Sequence, residues 1–278
     1  MPHTLRPSSG PRALGDSSVG VTRTVHDGLA LRVRRVAPAQ ASALSASASA
    51  LSAPRTERDV VLVHGLGLSS EYLEELAVSL SVVGPVYLLD LPGFGGVPRP
   101  ARTPSVPDLA RLVAAWAAEA GLDDPVLLGQ SLGTQIVVEM LAADPGLSSH
   151  AVLVGPTVDP TGRSSYAQLG RFLRSAPSES SRTRRLAVRA YARSGPTWIA
   201  RVLQSTLRYP TEEHLPAVEA SVLVLRGSRD RIAPRAWAEH VALLVPRARS
   251  AEVEGAGHLV VHDHAAEVAA LVLDHLSR

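Results

Sequence analysis

From residue 59 onward the chain alternates two hydrophobic patterns. Short runs rich in Val and Leu predict strands at Val60–His64, Val86–Asp90, Pro125–Gly129, Ala151–Gly155, Ser221–Arg226 and Arg249–Val253. Between them, apolar residues recur at helical spacing and predict helices near 71–82, 107–120, 132–143, 235–244 and 263–276. Strands that are almost wholly apolar bury both faces, as in a parallel sheet covered by helices. Strand–helix alternation of this kind predicts an α/β fold with an open, doubly wound, mostly parallel sheet. The second helix has a start signal, Ser105 three residues before Asp108, resembling a capping box with Asp in place of Glu or Gln. Its stop signal is Gly121.

Upstream of this regular region the pattern changes. Val21–Val36 holds two alternating, β-branched runs around Asp27-Gly28, and Asp-Gly between such runs predicts a hairpin. Residues 1–18 read as a disordered tail. Residues 37–57 are a low-complexity Ala/Ser stretch, which composition leaves open between a flexible loop and a marginal helix. A second break runs from 157 to about 216, where helical spacing continues without a convincing strand. An insertion of this size between two strands predicts a helical cap at 157–216 over a core at 19–156 and 217–278.

Composition narrows the chemistry. The 278 residues are 45% hydrophobic and 19% charged, enough to bury a sizeable core and too apolar for a disordered chain. The absence of Cys excludes disulfide scaffolds, thiolate metal sites and cysteine nucleophiles. Every one of the 28 basic residues is Arg, so lysine Schiff bases and P-loop lysines are excluded as well. A formal charge of +2 and an aromatic content of 4% match no nucleic-acid-binding module. The N-terminus lacks an apolar secretory core and no segment reads as a membrane span, so a cytoplasmic location is expected. Neither a cofactor nor a metal is expected. Charge is segregated: the predicted cap carries ten Arg against four acids, Asp159, Glu179, Glu212 and Glu213.

The candidate chemistry begins at Gly129-Gln130-Ser131-Leu132-Gly133, a match to G-x-S-x-G. Alone the pattern recurs by chance, and a Gly-rich turn with an exposed Ser is the bland reading. Here a predicted strand precedes it and a predicted helix follows, the setting in which the motif strains a nucleophilic Ser above the sheet edge. Two further strand ends carry the remaining parts. The strand beginning at Ser221 leads to Asp230, and the strand beginning at Arg249 leads to His258 within Gly-Ala-Gly-His. The order Ser131, Asp230, His258 is that of a nucleophile, an orienting acid and a general base. All three follow strands, where an α/β sheet places its ligand sites. Asp159, just past another strand, is a rival acid. His64-Gly65-Leu66-Gly67 closes the first strong strand and can aim a backbone N–H at an oxyanion, with the N–H of Leu132 as partner. The side chain of His64 reads as a loop brace.

Together these stretches resemble the α/β-hydrolase superfamily. The matching motifs are VLVHGLG (61–67), LLDLPGFGG (88–96), LLGQSLGT (127–134), VLRGSRD (224–230) and GAGHLV (255–260), and the likeness covers about 59–278. The resemblance implies Ser131 as nucleophile, Asp230 and His258 as its triad partners, and the N–H groups of Leu66 and Leu132 as oxyanion donors. It also implies that 157–216 is a helical cap and that Asp90 with Gly93–Gly96 forms a structural turn. Val97 stands where relatives often have Ser, a departure that concerns the turn alone. A serine at 131 disfavours the Asp-nucleophile epoxide hydrolases and dehalogenases of the superfamily.

The expected reaction is hydrolysis of a carboxylic ester of a small acyl substrate, through an acyl-enzyme on Ser131. Thioester and carbon–carbon cleavage by the same fold are the alternatives. Relatives with carbon–carbon chemistry commonly carry Asn before the nucleophile and an aromatic after the His, where this chain has Gln130 and Leu259. A non-catalytic ligand receptor of the same fold is the alternative of another class. The Arg-rich cap reads either as a preference for anionic substrates or as a solvated helical face, the second being the commoner outcome for charge runs.

Overall fold

A computed structural model describes residues 19–38 and 58–278. The predicted tail at 1–18, and all but the first two residues of the Ala/Ser stretch, lie outside the described residues. Among the described residues the eight strands are β1 (Val19–His26), β2 (Leu29–Val36), β3 (Val60–Val63), β4 (Val86–Asp90), β5 (Val126–Gln130), β6 (His150–Val154), β7 (Ser221–Gly227) and β8 (Ala248–Val253). They form one sheet in the order β1-β2-β4-β3-β5-β6-β7-β8. Strands β3 to β8 run parallel; the β1–β2 hairpin joins the edge antiparallel, with β2 against β4. The expected hairpin turn is present. His26 pairs with Leu29, and Asp27 and Gly28 both have positive φ (49° and 75°), as a two-residue type I′ turn requires.

Helices cover both faces. Those between strands and after β8 are α1 (Glu74–Leu80), α2 (Val106–Glu119), α3 (Leu132–Ala143), α8 (Arg235–Leu244), α9 (Val260–Asp263) and α10 (Ala265–Leu276). Alternate strand residues feed two apolar layers, as the two-residue period of a strand dictates. Val61 and Val63 pack with Leu127 and Leu153 against Val113 and Trp116 of α2 and Ile136 of α3. Leu62, Leu88, Leu128 and Val152 pack against Leu76 and Leu80 of α1 and Val268 and Val272 of α10. The Ser105–Asp108 capping box forms with both reciprocal bonds: Ser105 Oγ accepts from the Asp108 N–H (3.2 Å), and Asp108 Oδ2 accepts from the Ser105 N–H (2.8 Å).

Two helices differ from the pattern reading. The stretch predicted at 71–82 opens with a 3-10 turn at Ser70–Leu73 before α1. The final helix is broken at His264, so the short α9 precedes α10. Strand β5 extends through Gln130 because that residue still pairs with Val154 of β6.

Between β6 and β7 lie α4 (Ser165–Ser175), α5 (Ser181–Ser194), α6 (Pro196–Arg208) and α7 (Thr211–His214), with no strand among them. The insert touches both layers. Trp198 and Val202 of α6 join the α2–α3 layer, and Ala187 and Tyr191 of α5 join the α1–α10 layer. Helix α4 reverses the usual polarity: Gln168 and Ser175 are its buried residues, while Tyr166, Leu169, Phe172 and Leu173 are exposed.

Candidate active site

The chain reverses its direction across the sheet at β3, with β4 on one side and β5 on the other. Such a switch point leaves a crevice at the carboxyl ends of the two strands. The loop after β3 and the turn after β5 meet there. Ser131, at that turn, has φ 53° and ψ −115°, a strained conformation for a residue with a Cβ. The strain is held from all sides. The Ser131 N–H donates to the Val154 carbonyl (2.9 Å), and the Thr134 N–H and hydroxyl both donate to the Ser131 carbonyl (2.9 and 2.6 Å). A Cβ at Gly129 would overlap the carbonyl of Gly133, and one at Gly133 would overlap the carbonyl of Val63. Both motif glycines are therefore demanded by the approach of helix to strand. Ser131 is half-buried, and its hydroxyl has no protein hydrogen-bond partner among the described residues.

The strands next in the sheet deliver the other two groups. Asp230 lies in the turn after β7 and His258 in the loop after β8. His258 Nδ1 and Asp230 Oδ2 are 2.7 Å apart, both residues nearly fully buried. The other oxygen of Asp230 accepts from the N–H groups of Ile232 (2.8 Å) and Ala233 (3.0 Å), which leaves the carboxylate one orientation. A carboxylate in this position favours the neutral tautomer with its proton on Nδ1, which leaves Nε2 unprotonated. Burial opposes protonation of His258, but the charges of Asp230 and Glu179 outweigh it and hold the pKa above the ordinary imidazole value.

The residues beside Ser131 and at the end of β6 contact this pair. Gln130 Nε2 donates to the His258 carbonyl (3.2 Å). Gly155, after β6, has φ 56° and lies against the pair: a Cβ there would come within 3.1 Å of the imidazole and 3.2 Å of Asp230 Oδ2. A direct Ser131–His258 hydrogen bond is not formed; such bonds are often long in a free enzyme and close when substrate binds.

The β3 loop stands opposite. The Leu66 and Leu132 N–H groups donate to no acceptor among the described residues. Gly65 packs close to the Ser131 side chain, and its N–H donates to Tyr72 Oη (3.1 Å), which donates to Gln130 Oε1 (2.6 Å). One buried relay of hydrogen bonds therefore runs from the β3 loop through Tyr72 and Gln130 to the His258 backbone. His64 is committed elsewhere: Nδ1 donates to the Gly65 carbonyl (2.8 Å) and Nε2 accepts from the Leu91 N–H (3.1 Å). Full burial pushes its pKa down, and it braces the loop as a neutral ring.

The rival acid is occupied elsewhere, as is the acid of the structural turn. Asp159 pairs with Arg171 and accepts from Thr161, and Asp90 pairs with Arg32 and accepts from Ser70. Among the described residues no group of three or more His, Asp or Glu side chains is placed to hold a metal ion. Three residues at the site escaped sequence reasoning. Gly155 passed for a strand end. Tyr191, whose ring lies over Gly67 of the β3 loop, passed for part of an amphipathic helix. Glu179, which touches the His258 loop, passed for one of four scattered acids in the Arg-rich insert. The one signal for it was its rarity in that insert.

Similarity to known proteins runs the same way. A family model described as "Alpha/beta hydrolase family" matches residues 60–271. A pimeloyl-[acyl-carrier protein] methyl ester esterase of Neisseria meningitidis serogroup C is 27% identical over 250 residues, 80% of this chain and 95% of that protein. Among solved structures, a bacterial membrane phospholipase A superposes with a TM-score of 0.75 at 23% identity, over 94% of this chain and 86% of that one. An esterase of Thermogutta terrifontis superposes with a TM-score of 0.75 at 18% identity, over 92% of this chain and 98% of that one. At those identities the structural likeness speaks for the fold. The motifs, the sheet topology and the family match over most of the chain make one conclusion: the protein belongs to the alpha/beta hydrolase family and is an enzyme of the α/β-hydrolase fold.

Proposed function

We propose that the protein hydrolyses a carboxylic ester by a two-step acyl transfer in which Ser131 is the nucleophile, His258 the general base and acid, and Asp230 the group that orients the ring. The observation that carries this reading is the 2.7 Å His258–Asp230 contact, with its acid locked by two backbone N–H groups, beside a strained serine. Nε2 of His258 takes the Ser131 proton as Oγ attacks the acyl carbon. The carbonyl oxygen becomes an oxyanion between the N–H groups of Leu66 and Leu132, each able to contribute about 3 kcal/mol to the transition state. The imidazolium returns its proton to the leaving alcohol. Water, activated by the same nitrogen, then releases the acid.

The relatives narrow the substrate class within this proposal. Those at 25–28% identity over three quarters or more of this chain carry the name pimeloyl-[acyl-carrier protein] methyl ester esterase. We therefore assign the scissile bond to a short-alcohol ester of a fatty-acyl-type chain, with the insert at 157–216 acting as the cap that covers it. Tyr191 and Ile199 of the insert lie against Gly67, so cap residues reach the β3 loop where the acyl group would lie. An anionic carrier or acid group is compatible with the cap surface. Arg163, Arg171, Arg182 and Arg189 have carboxylate partners, whereas Arg174, Arg184, Arg185, Arg193, Arg201 and Arg208 have none among the described residues. Among those residues no helix is long and apolar enough to cross a membrane.

The test is a panel of methyl esters that varies acyl length and terminal charge, run on the wild type and on Ser131→Ala. Hydrolysis that vanishes in Ser131→Ala supports the reading. Hydrolysis that survives in Ser131→Ala, or tight ligand binding without turnover by any ester, thioester or diketone, contradicts it. Preference for thioesters or carbon–carbon bonds would keep the triad and replace the substrate class.

A further inference from the structure

We propose that Glu179 of the insert is a positioning residue for His258: one carboxylate oxygen pins the backbone that carries the imidazole, and the charge stands beside the ring as a second counter-ion for the imidazolium, besides Asp230. The inference rests on the triad reading above and extends it to a residue outside the sheet. Glu179 follows α4, at the end of the short turn Ala176–Ser178, and lies about eighty residues from His258 in sequence. Its Oε1 accepts from the N–H groups of both His258 (2.6 Å) and Leu259 (3.1 Å). These are charge-assisted bonds to consecutive amides, and they fix the peptide on which the ring turns. Oε2 is buried and has no protein partner among the described residues. A buried carboxylate with an idle oxygen is costly to keep as mere packing.

The same seam is closed from the other side. Asp263, at the end of α9, accepts from the N–H (3.0 Å) and hydroxyl (2.7 Å) of Ser180 and from the hydroxyl of Thr183 (2.5 Å). The insert gives an acid to the His258 loop, and the segment after that loop gives an acid back to the first turn of α5. A displacement of the cap at this seam therefore moves the general base, while the Ser131 turn, held by β6, stays in place. The charges that face the imidazole are Asp230 from the β7 turn and Glu179 from the insert; those that face Glu179 are His258, Asp230 and Tyr191 of α5. Burial raises the pKa of Glu179, and its two backbone donors and His258 oppose that rise.

The decisive experiment compares Glu179→Gln with Glu179→Ala, following kcat/KM for an aryl ester against pH. The amide oxygen of Gln can still accept from both N–H groups, so Glu179→Gln keeps the pin and removes the charge. Its acid limb should move to lower pH. One unit below the wild-type midpoint it should retain about threefold more of its plateau rate than the wild type does, the size expected for removing one nearby counter-charge. Glu179→Ala loses pin and charge together. It should show the same limb shift with a plateau kcat about tenfold lower, a loss that Glu179→Gln largely restores. A limb that stays at the wild-type pH in whichever variant keeps the wild-type circular dichroism overturns the inference. Ser131→Ala in parallel separates the two levels. Activity surviving in Ser131→Ala defeats the hydrolase reading itself, whereas an inactive Ser131→Ala with an unmoved limb in Glu179→Gln defeats the role of Glu179 alone.

Discussion

The carboxyl edge of the sheet and the insert above it hold their residues in place by different means. At the edge, strands β3, β5 and β6 are fully or almost fully buried and laddered on both sides, so the turns that leave them have one path to follow. Ser131 can be kept at φ 53° because its carbonyl, its N–H and both motif glycines are locked by neighbours. The insert has no such ladder. It is attached by single side chains that reach across: Trp198 and Val202 into one apolar layer, Tyr191 onto Gly67, and Glu179 onto the His258 loop. Rigid backbone holds the proposed nucleophile, and a more loosely tied surface forms the proposed cap. The contrast teaches that lesions at the edge should abolish chemistry or folding, while lesions in the insert should retune rate, pH dependence and substrate choice.

The sharpest division comes from Ser131→Ala. It should lower kcat on the order of a million-fold, by the magnitude of triad knockouts elsewhere, with the thermal midpoint almost unmoved, as read by ester hydrolysis and circular dichroism. Asp230→Asn follows, with a loss of about ten-thousand-fold as the ring loses its fixed tautomer. A loss below about tenfold would show that the insert, not the β7 turn, orients His258. Third, Leu62→Ala in the middle of β3 should cost about 3 kcal/mol of stability in denaturant unfolding, because Leu62 is wholly buried. Leu169→Ala on the exposed face of α4 should change stability by less than about 0.5 kcal/mol; equal costs would erase the distinction between the two regions. The smallest effect is the pH dependence. The kcat/KM of the wild type should rise with pH as His258 gives up its proton, and because its pKa is raised, the limb should lie above that of an ordinary imidazole.

The same contrast explains what could be read in the sequence. The strands at 60, 86, 126, 150 and 221 were legible because a doubly covered parallel strand is apolar at almost every position. The turn residues were legible because Gly129 and Gly133 answer to local steric demands. Asp27-Gly28 and Ser105-x-x-Asp108 likewise encode their hairpin turn and helix cap within four residues. Gly155 and Glu179 were not legible. Each touches His258 from far along the chain, Gly155 from about one hundred residues away and Glu179 from about eighty, and no local spacing records such a meeting. The polarity of α4 was not legible for a related reason: helical spacing in the insert does not say that Tyr166, Leu169, Phe172 and Leu173 face outward. The break at His264 shows the limit at element ends, where a helical pattern runs on across a kink in the backbone.

The central claim is that Ser131 is made nucleophilic by His258, and active-site labelling with a fluorophosphonate tests it directly. The account predicts one phosphonyl group per chain, located on Ser131 by peptide mass spectrometry, with labelling slowed at least a hundredfold in His258→Ala. Labelling on another residue, or labelling of Ser131 at an unchanged rate without the imidazole, would contradict it.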